Sequence, residues 1–459
     1  MAGEVISTKR YTIQTYGCQM NQRDSELLAG LLQESGYVEA SGPGDADLIV
    51  INTCCVRESA EQKVYGRIGQ LKKLKRERPG LLLAVCGCMA QEPGTVERLR
   101  QKAPHVDIIF GTHNAHRLPE LLRQAEDSRE TVVEVWETEG EVVEQVPSRR
   151  ASGVSAFVNI MFGCDNFCSY CIVPYVRGRQ RSRHRRAILE EVRELANLGY
   201  REVTLLGQNV NSYGQDLEPP GDFSTLLEAV DRDGGMNRIR YMTSHPRDFT
   251  PGLVETLARA RNVCEHVHLP AQAGSNAILQ AMNRGYTRET YLQLVDLLRQ
   301  AIPGVAITTD LIVGFPGETD VDFDSTLALV EEAEFDFAYT FLYSPRRGTR
   351  AASYAGQLPE EVKKERLSHL MELQNQTSRR LNQALVGTTA EVLVEGTSAR
   401  DLRRLTGRTR TNRIVVFPDA GEKPGDLVNV EIKEAFTWHL VGETIGRVQD
   451  LEPGERGQT

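Results

Sequence analysis

Apolar residues in the first third of the chain fall in short runs, at 11–16, 47–52, 81–85 and 107–110, each followed by a longer polar-apolar stretch of helical period. Such βαβα alternation predicts a parallel sheet. The alternation returns further on, with strands expected at 156–161, 202–206, 239–243, 265–269, 306–312 and 337–343. Six βα units predict a partial barrel rather than a closed eight-stranded one. A charged helical stretch, 359–385, then gives way to runs at 390–394, 404–409, 413–417, 427–432 and 440–445, punctuated by Gly and Pro with no long helix between them. That pattern predicts a small all-β barrel. The expected fold is therefore α/β: an N-terminal parallel-sheet α/β domain, a partial (βα)6 barrel and a C-terminal small all-β barrel.

Composition narrows the class. The chain has 459 residues, 54 Lys plus Arg against 63 Asp plus Glu, and 40% hydrophobic residues, as expected for about three soluble globular domains. The longest apolar run, 81–90, is too short to span a bilayer, and no apolar core follows Lys9 and Arg10, so neither a signal peptide nor a membrane partner is expected. Nine cysteines at this low density suit a reducing cytosol rather than a disulfide scaffold, which points to a cytoplasmic protein.

The net charge of −9 means that any nucleic-acid binding must come from local patches. Two basic patches exist: six Arg with His184 and no acid between 177 and 186, and six Arg against Asp401 alone between 400 and 413. Conversely, eight acids face only Arg129 between 126 and 144, which reads as a linker.

Cys164, Cys168 and Cys171 form CxxxCxxC directly after the first strand of the second domain. Three thiolates on one loop make a metal site. Tetrahedral zinc would need a fourth ligand, and the nearest downstream candidate, His184, lies in an Arg-rich segment that repels a cation. A cubane iron-sulfur cluster on three cysteines instead leaves one iron open to substrate or cofactor. The motif, with Tyr170 as the aromatic residue before the last cysteine, resembles the radical S-adenosylmethionine superfamily. The resemblance implies that the open iron chelates S-adenosylmethionine and that one-electron cleavage of its sulfonium gives a 5′-deoxyadenosyl radical. Family-like segments end the expected barrel strands, with Gln208, Ser244, Gln272 and Asp310 as candidate polar contacts to the cofactor beside Tyr170.

In the first domain Cys18, Cys54 and Cys88 each follow a strand end. Loops leaving the carboxyl ends of neighbouring parallel strands converge on one edge, so these three thiols can share a site. Cys55, Cys86 and Cys264 are read as packing residues. The surrounding segments, 15–21, 52–58 and 86–91, look like the methylthiotransferase family, whose members carry a second three-cysteine cluster ahead of a radical S-adenosylmethionine core and a TRAM barrel behind it. Carried onto this chain, the resemblance places an N-terminal domain with an auxiliary [4Fe-4S] cluster at 9–126, the acidic linker at 127–149, the radical core at 150–382, the TRAM domain at 383–447 and a tail at 448–459. Two [4Fe-4S] clusters are implied, on Cys18, Cys54 and Cys88 and on Cys164, Cys168 and Cys171.

The Gln19-Met20-Asn21 continuation, the run 208–211 and the segment 408–417 are similar to the tRNA-modifying, MiaB-type branch. That similarity implies methylthiolation at C2 of an N6-isopentenylated adenosine immediately 3′ of the anticodon, S-adenosylmethionine serving both as methyl donor and as radical source. Such a base lies in a single-stranded loop, where splaying it out costs little. Arg177, Arg179, Arg181, Arg408, Arg410 and Arg413 are the expected phosphate contacts, an electron donor of the flavodoxin or ferredoxin type is implied, and a monomer is expected. Methylthiolation of threonylcarbamoyl-adenosine or of a ribosomal-protein aspartate, and a non-catalytic iron-sulfur redox protein that binds RNA, are the alternatives.

Overall fold

The computed structural model describes residues 8–55, 58–128, 130–144, 146–150 and 153–448. The expected tail beyond Val448, the segment before Thr8, and Val56, Arg57 and Arg129 of the motif and linker readings lie outside the described residues. The chain divides into two compact units. The first takes residues up to 151 together with 161–183 and 346–349, and the second takes 152–160, 184–345 and 350 onward.

In the first unit the elements run β1 (Arg10–Thr15), α1 (Gln19–Glu34), β2 (Val38–Glu39), β3 (Leu48–Thr53), α2 (Glu58–Glu77), β4 (Leu82–Gly87), α3 (Cys88–Gln91), α4 (Thr95–Lys102), β5 (Ile108–Phe110), α5 (Leu118–Asp127) and β6 (Val132–Glu134). They build a six-stranded parallel sheet of order β2-β1-β3-β4-β5-β6. Its central strands read as continuous apolar runs because helices cover both faces. Ile49, Ile51, Leu83 and Val85 enter one core layer, while Leu48, Val50, Ala84 and Cys86 enter the other. Strand alternation produces that sorting, and each fully buried aliphatic side chain contributes roughly 1.5–3 kcal/mol of transfer free energy. One expectation is corrected: β6, the edge strand, lies inside the acidic stretch read as a linker.

The second unit begins with β7 (Ser155–Asn159). The first unit then takes back β8 (Met161–Phe162), α6 (Val173–Val176) and β9 (Arg181–Ser182). The second resumes with α7 (Arg185–Asn197), β10 (Glu202–Leu206), α8 (Phe223–Asp233), β11 (Arg238–Met242), α9 (Pro251–Arg259), β12 (His266–His268), α10 (Asn276–Ala281), α11 (Arg288–Ala301), β13 (Ala306–Val313), α12 (Asp320–Ala333) and β14 (Phe337–Leu342). Its six strands form two parallel three-stranded halves, β7-β10-β11 and β12-β13-β14, joined by a bridge between Ile239 and Val263. All six expected barrel strands are therefore present. The long helix α13 (Glu360–Gln383) leads to β15 (Thr389–Thr397), β16 (Arg404–Thr409), β17 (Ile414–Pro418), β18 (Leu427–Ala435) and β19 (Leu440–Arg447), which close a barrel of order β15-β16-β17-β19-β18. Closure removes exposed sheet edges, and Val392, Val394, Val415, Phe417, Val428 and Val430 fill the interior. Among the described residues no helix is long and apolar enough to cross a membrane.

Candidate functional site

In the first unit the strand order reverses between β1 and β3, on either side of which the chain leaves in opposite directions. Ligands of open parallel sheets bind outside the carboxyl ends of the strands at such a switch point. Cys18 follows β1 after Tyr16 and Gly17 as the N-cap of α1, Cys54 directly follows β3, and Cys88 directly follows β4. A buried amide latch holds the first two loops together. Asn21 donates from Nδ2 to the Asn52 side chain at 3.2 Å and to the Thr53 carbonyl at 3.0 Å, and Asn52 returns a bond to the Asn21 carbonyl at 2.9 Å. Asn21 also accepts the Cys18 thiol at 3.4 Å. The loops are so close that a Cβ on Gly17 would stand 2.9 Å from that of Cys54. Gly87, at φ 93°, is equally constrained, since a Cβ there would meet the Thr53 carbonyl oxygen at 2.4 Å.

The thiols at this edge are electrostatically uneven. Cys55 donates its S–H to Cys88, which holds the Cys88 thiol below the ordinary thiol range with help from the Arg177 guanidinium, while Cys55 itself is pushed well up. Arg177 donates from Nε to Cys88 Sγ at 3.2 Å. Cys55 packs in the hydrophobic core, as expected, and its thiol also lies beside that of Cys88. Cys86 faces the opposite core layer, as the alternation of β4 requires, and Cys264 is buried in the second unit. No disulfide links the nine cysteines.

The CxxxCxxC loop belongs to the same unit. Its two ends are clamped by the antiparallel ribbon of β8 and β9. Within the loop the Cys171 N–H bonds to the Cys168 carbonyl at 2.9 Å and the Cys164 N–H to the Gly178 carbonyl at 3.2 Å. Phe167 takes a left-handed φ of 46°, which turns the chain between the first two cysteines. Cys164 and Cys168 are buried, and Cys171 and Tyr170 are half-buried. Among the described residues no three His, Cys, Asp or Glu side chains converge as ligands of a single ion. A cubane holds each thiolate at a different corner iron, so its ligands stand further apart than those of one ion. Three soft thiols on loops tightened by glycine or a left-handed turn are the donor set that iron-sulfur clusters take.

Beside Arg177 opens a cleft of about 110 Å³, partly open to solvent, whose walls include Asp24, Leu28, Cys86, His113 and Val143. Burial and the nearby Arg181 hold the His113 imidazole down to about 4. Segment 139–144 covers the Arg-rich stretch. Glu139 accepts the Arg179 N–H at 2.9 Å, Glu144 accepts Arg183 at 2.8 Å, and the Gly140 carbonyl accepts Arg181 at 2.6 Å. Two acids of the stretch read as a linker, Glu139 and Glu144, are therefore counter-charges of the first basic patch.

In the second unit, paired residues of β12, β13 and β14 project to one face, which carries His266, His268, Thr308, Asp310, Phe337 and Tyr339. Thr308 Oγ1 lies 3.1 Å from His266 Nε2 and 3.0 Å from His268 Nδ1, and His268 Nε2 stands 3.6 Å from Asp310. Gln272, at φ 71°, bonds through its backbone to Asp310 and Ile312. Ser244 donates its hydroxyl to the His268 carbonyl. Gln208 Oε1 is buried with no hydrogen-bond partner among the described residues, so this strand end keeps an acceptor for a donor from a bound group.

The arginines expected to contact RNA are engaged within the chain. Arg177 is buried and spent on Cys88 and on Asp24, at 2.7 Å. Arg410 grips Glu265 through two nitrogens, Arg413 pairs with Asp336, and Arg408 pairs with Glu395 at 2.9 Å. Arg240 donates to the carbonyls of Thr409 and Arg410, and Arg238 to that of Arg408. The β16–β17 hairpin thus plugs the amino-terminal ends of β11, β12 and β14. An acid just before two strand starts, Glu265 and Asp336, was the sequence signal for a basic plug. Arg179 is exposed but paired with Asp165.

Residues 10–111 match the uncharacterized protein family UPF0004, 158–330 the radical SAM superfamily and 383–445 the TRAM domain. A solved structure of the radical S-adenosylmethionine methyltransferase TsrM from Kitasatospora setae, with cobalamin and a [4Fe-4S] cluster bound, shares the fold at a TM-score of 0.54 and 15% identity, over 75% of this chain and 74% of that one. Fold and site together define a radical S-adenosylmethionine protein with a TRAM barrel. Across 441 residues, 96% of this chain and 99% of the relative, it is 57% identical to the tRNA-2-methylthio-N(6)-dimethylallyladenosine synthase of Moorella thermoacetica. The synthases of that name from Syntrophomonas wolfei and Carboxydothermus hydrogenoformans are 56% and 53% identical, each over 95% of this chain and over 97% and 99% of their own lengths. The chain belongs to the family of tRNA-2-methylthio-N(6)-dimethylallyladenosine synthases.

Proposed function

We propose that this protein methylthiolates C2 of N6-dimethylallyl adenosine in tRNA, next to the anticodon, as a transferase of sulfur-containing groups. The observation that carries the reading is the near full-length identity to the named synthases, joined to two cysteine triads in one compact unit. Iron-sulfur clusters and S-adenosylmethionine, when bound, supply methyl transfer to sulfur and one-electron activation of the adenine.

The chain's own residues bind and position. Cys18, Cys54 and Cys88 hold an auxiliary [4Fe-4S] cluster, and Cys164, Cys168 and Cys171 a second one. Asn21 and Asn52 fix the spacing of the first two auxiliary ligands, and Arg177 neutralises charge on the third, since a guanidinium bonded to sulfur favours the thiolate needed for ligation. Tyr170, Gln208, Ser244, Gln272 and Asp310 serve the nucleoside and amino-acid parts of S-adenosylmethionine. Cys54, Cys88, Cys164 and Cys168 are buried, while Cys18 is exposed and leaves the auxiliary site open on its side. The protein acts in the cytoplasm, as a monomer, with an electron donor of the flavodoxin or ferredoxin type.

The test is nucleoside mass spectrometry of isopentenylated tRNA after anaerobic incubation with reconstituted protein, S-adenosylmethionine and reductant. Appearance of 2-methylthio-N6-isopentenyladenosine is the expected result. Formation of 5′-deoxyadenosine without that nucleoside would overturn the substrate, and absence of both would overturn the activity.

A further inference from the structure

With the arginines of the 408–413 hairpin paired within the second unit, a different part of that unit is the better surface to meet RNA. Three rings form a ladder from the inner face of the partial barrel to the TRAM barrel. Tyr339 packs edge-on against His268 with centroids 5.9 Å apart, Phe337 against Tyr339 at 4.8 Å, and Trp438 of the β18–β19 turn against Phe337 at 5.5 Å. In each edge-to-face contact the rim of one ring meets the face of its partner, and Trp438, last in the ladder, stays largely open to solvent. Trp438 is 55% and Tyr339 43% exposed, a large aromatic area for a soluble surface.

The turn that presents Trp438 is fixed. Asn382 of α13 donates to the carbonyls of Phe436 and Thr437, and Phe436, itself exposed, stacks on His439 at 4.8 Å with planes 10° apart. Charge accompanies the rings: exposed Arg400, on the β15–β16 loop, lies near enough to depress the His439 imidazole, after the effect of its burial. Flat aromatic faces beside a guanidinium suit unpaired bases and their phosphates, because every base has a π-face and each linkage a negative charge. The far end of the ladder reaches His268, next to Asp310 on the strand that the proposed activity uses.

We propose that Trp438, Phe436 and Tyr339, with Arg400, form a stacking platform for unpaired nucleotides of the anticodon loop that flank the target adenosine. The platform rests on the proposed tRNA activity and names the surface on which that substrate is held. Unstacking the target base strands its neighbours, and aromatic faces restore the stacking they lose.

The chain has two tryptophans, so Trp136→Phe leaves Trp438 as the only indole. Full-length Trp136→Phe protein is titrated with an isopentenylated anticodon stem-loop RNA and with the same stem as a blunt duplex, while emission and anisotropy are followed. Saturable quenching by the stem-loop alone is expected. Adding Trp438→Ala should weaken stem-loop binding about tenfold, and Trp438→Tyr should restore most of it. Binding of the stem-loop with unchanged emission, and with affinity unaffected by Trp438→Ala, would overturn the platform. If the parent protein still forms the methylthio nucleoside in that case, only the platform falls. If the parent neither binds the stem-loop nor forms the nucleoside, the tRNA activity falls with it.

Discussion

Arg177, six residues beyond the CxxxCxxC motif, bonds the sulfur of Cys88 at 3.2 Å and the Asp24 carboxylate at 2.7 Å. One buried guanidinium therefore ties the loop of one cysteine triad to a member of the other. Arg177→Met would strip both partners and leave Asp24 without its counter-charge, a loss on the order of 3–5 kcal/mol. The expected outcome is a lowered melting temperature and, after reconstitution, about half the iron and sulfide of the parent if each triad holds one cubane. A variant with full iron would refute the coupling.

The two triads should separate chemically. Cys164→Ala is expected to abolish 5′-deoxyadenosine formation. Cys54→Ala should leave that cleavage in place and stop methylthio transfer, as read by nucleoside mass spectrometry. Methylthio product from Cys54→Ala would remove Cys54 from the ligand set. Gly87→Ala should resemble Cys54→Ala, since the added methyl would collide with the Thr53 carbonyl.

Acid should destabilise the fold through buried neutral imidazoles. Burial, then Arg284 and Arg247, hold His245 down to about 2, and burial with Arg181 holds His113 down to about 4. Both take up a proton only on unfolding, so the unfolded chain gains as pH falls. The stability at stake is complete above the ordinary histidine value of about 6.5 and is lost progressively below it, down to about 4 for His113 and about 2 for His245. Between pH 6.5 and 5 each contributes at most about 2 kcal/mol. Urea midpoints should drop over that interval, and His245→Gln should flatten the drop. An unchanged pH slope in His245→Gln would contradict the assignment.

Arginines of the TRAM barrel should fall into two groups. Arg400→Gln is expected to reduce the salt slope of stem-loop binding by about one. Arg410→Gln should leave that slope alone and instead expose the hairpin to proteolysis, because it strands Glu265 under the barrel. The reverse pattern would return the 408–413 hairpin to the RNA.

The barrel strands were legible because parallel sheets covered on both faces demand near-continuous apolar runs, and the five TRAM strands because a closed, mostly antiparallel barrel alternates buried and half-buried positions between turn residues. The cysteines were legible because chemistry fixes their spacing or their place after a strand. What escaped depends on partners far off in the chain. The strand β6 hides in an acidic stretch because the Glu134 carboxylate is matched by Arg117, 17 residues away, and by the indole of Trp136. Arg177 finds Asp24 across 153 residues, and Arg410 finds Glu265 across 145. A run of arginines shows its charge but not the carboxylates already set against it.

Because residues 161–183 pack in the first unit, that unit is not finished when its sheet is finished. A ribosome that has released the first 151 residues has delivered Cys18, Cys54 and Cys88 without the guanidinium that meets Cys88. At about 5–20 residues per second, the nascent sheet waits seconds for Arg177. The buried guanidinium that bonds the Cys88 sulfur is thereby delivered only with the synthesis of the loop that carries the second triad.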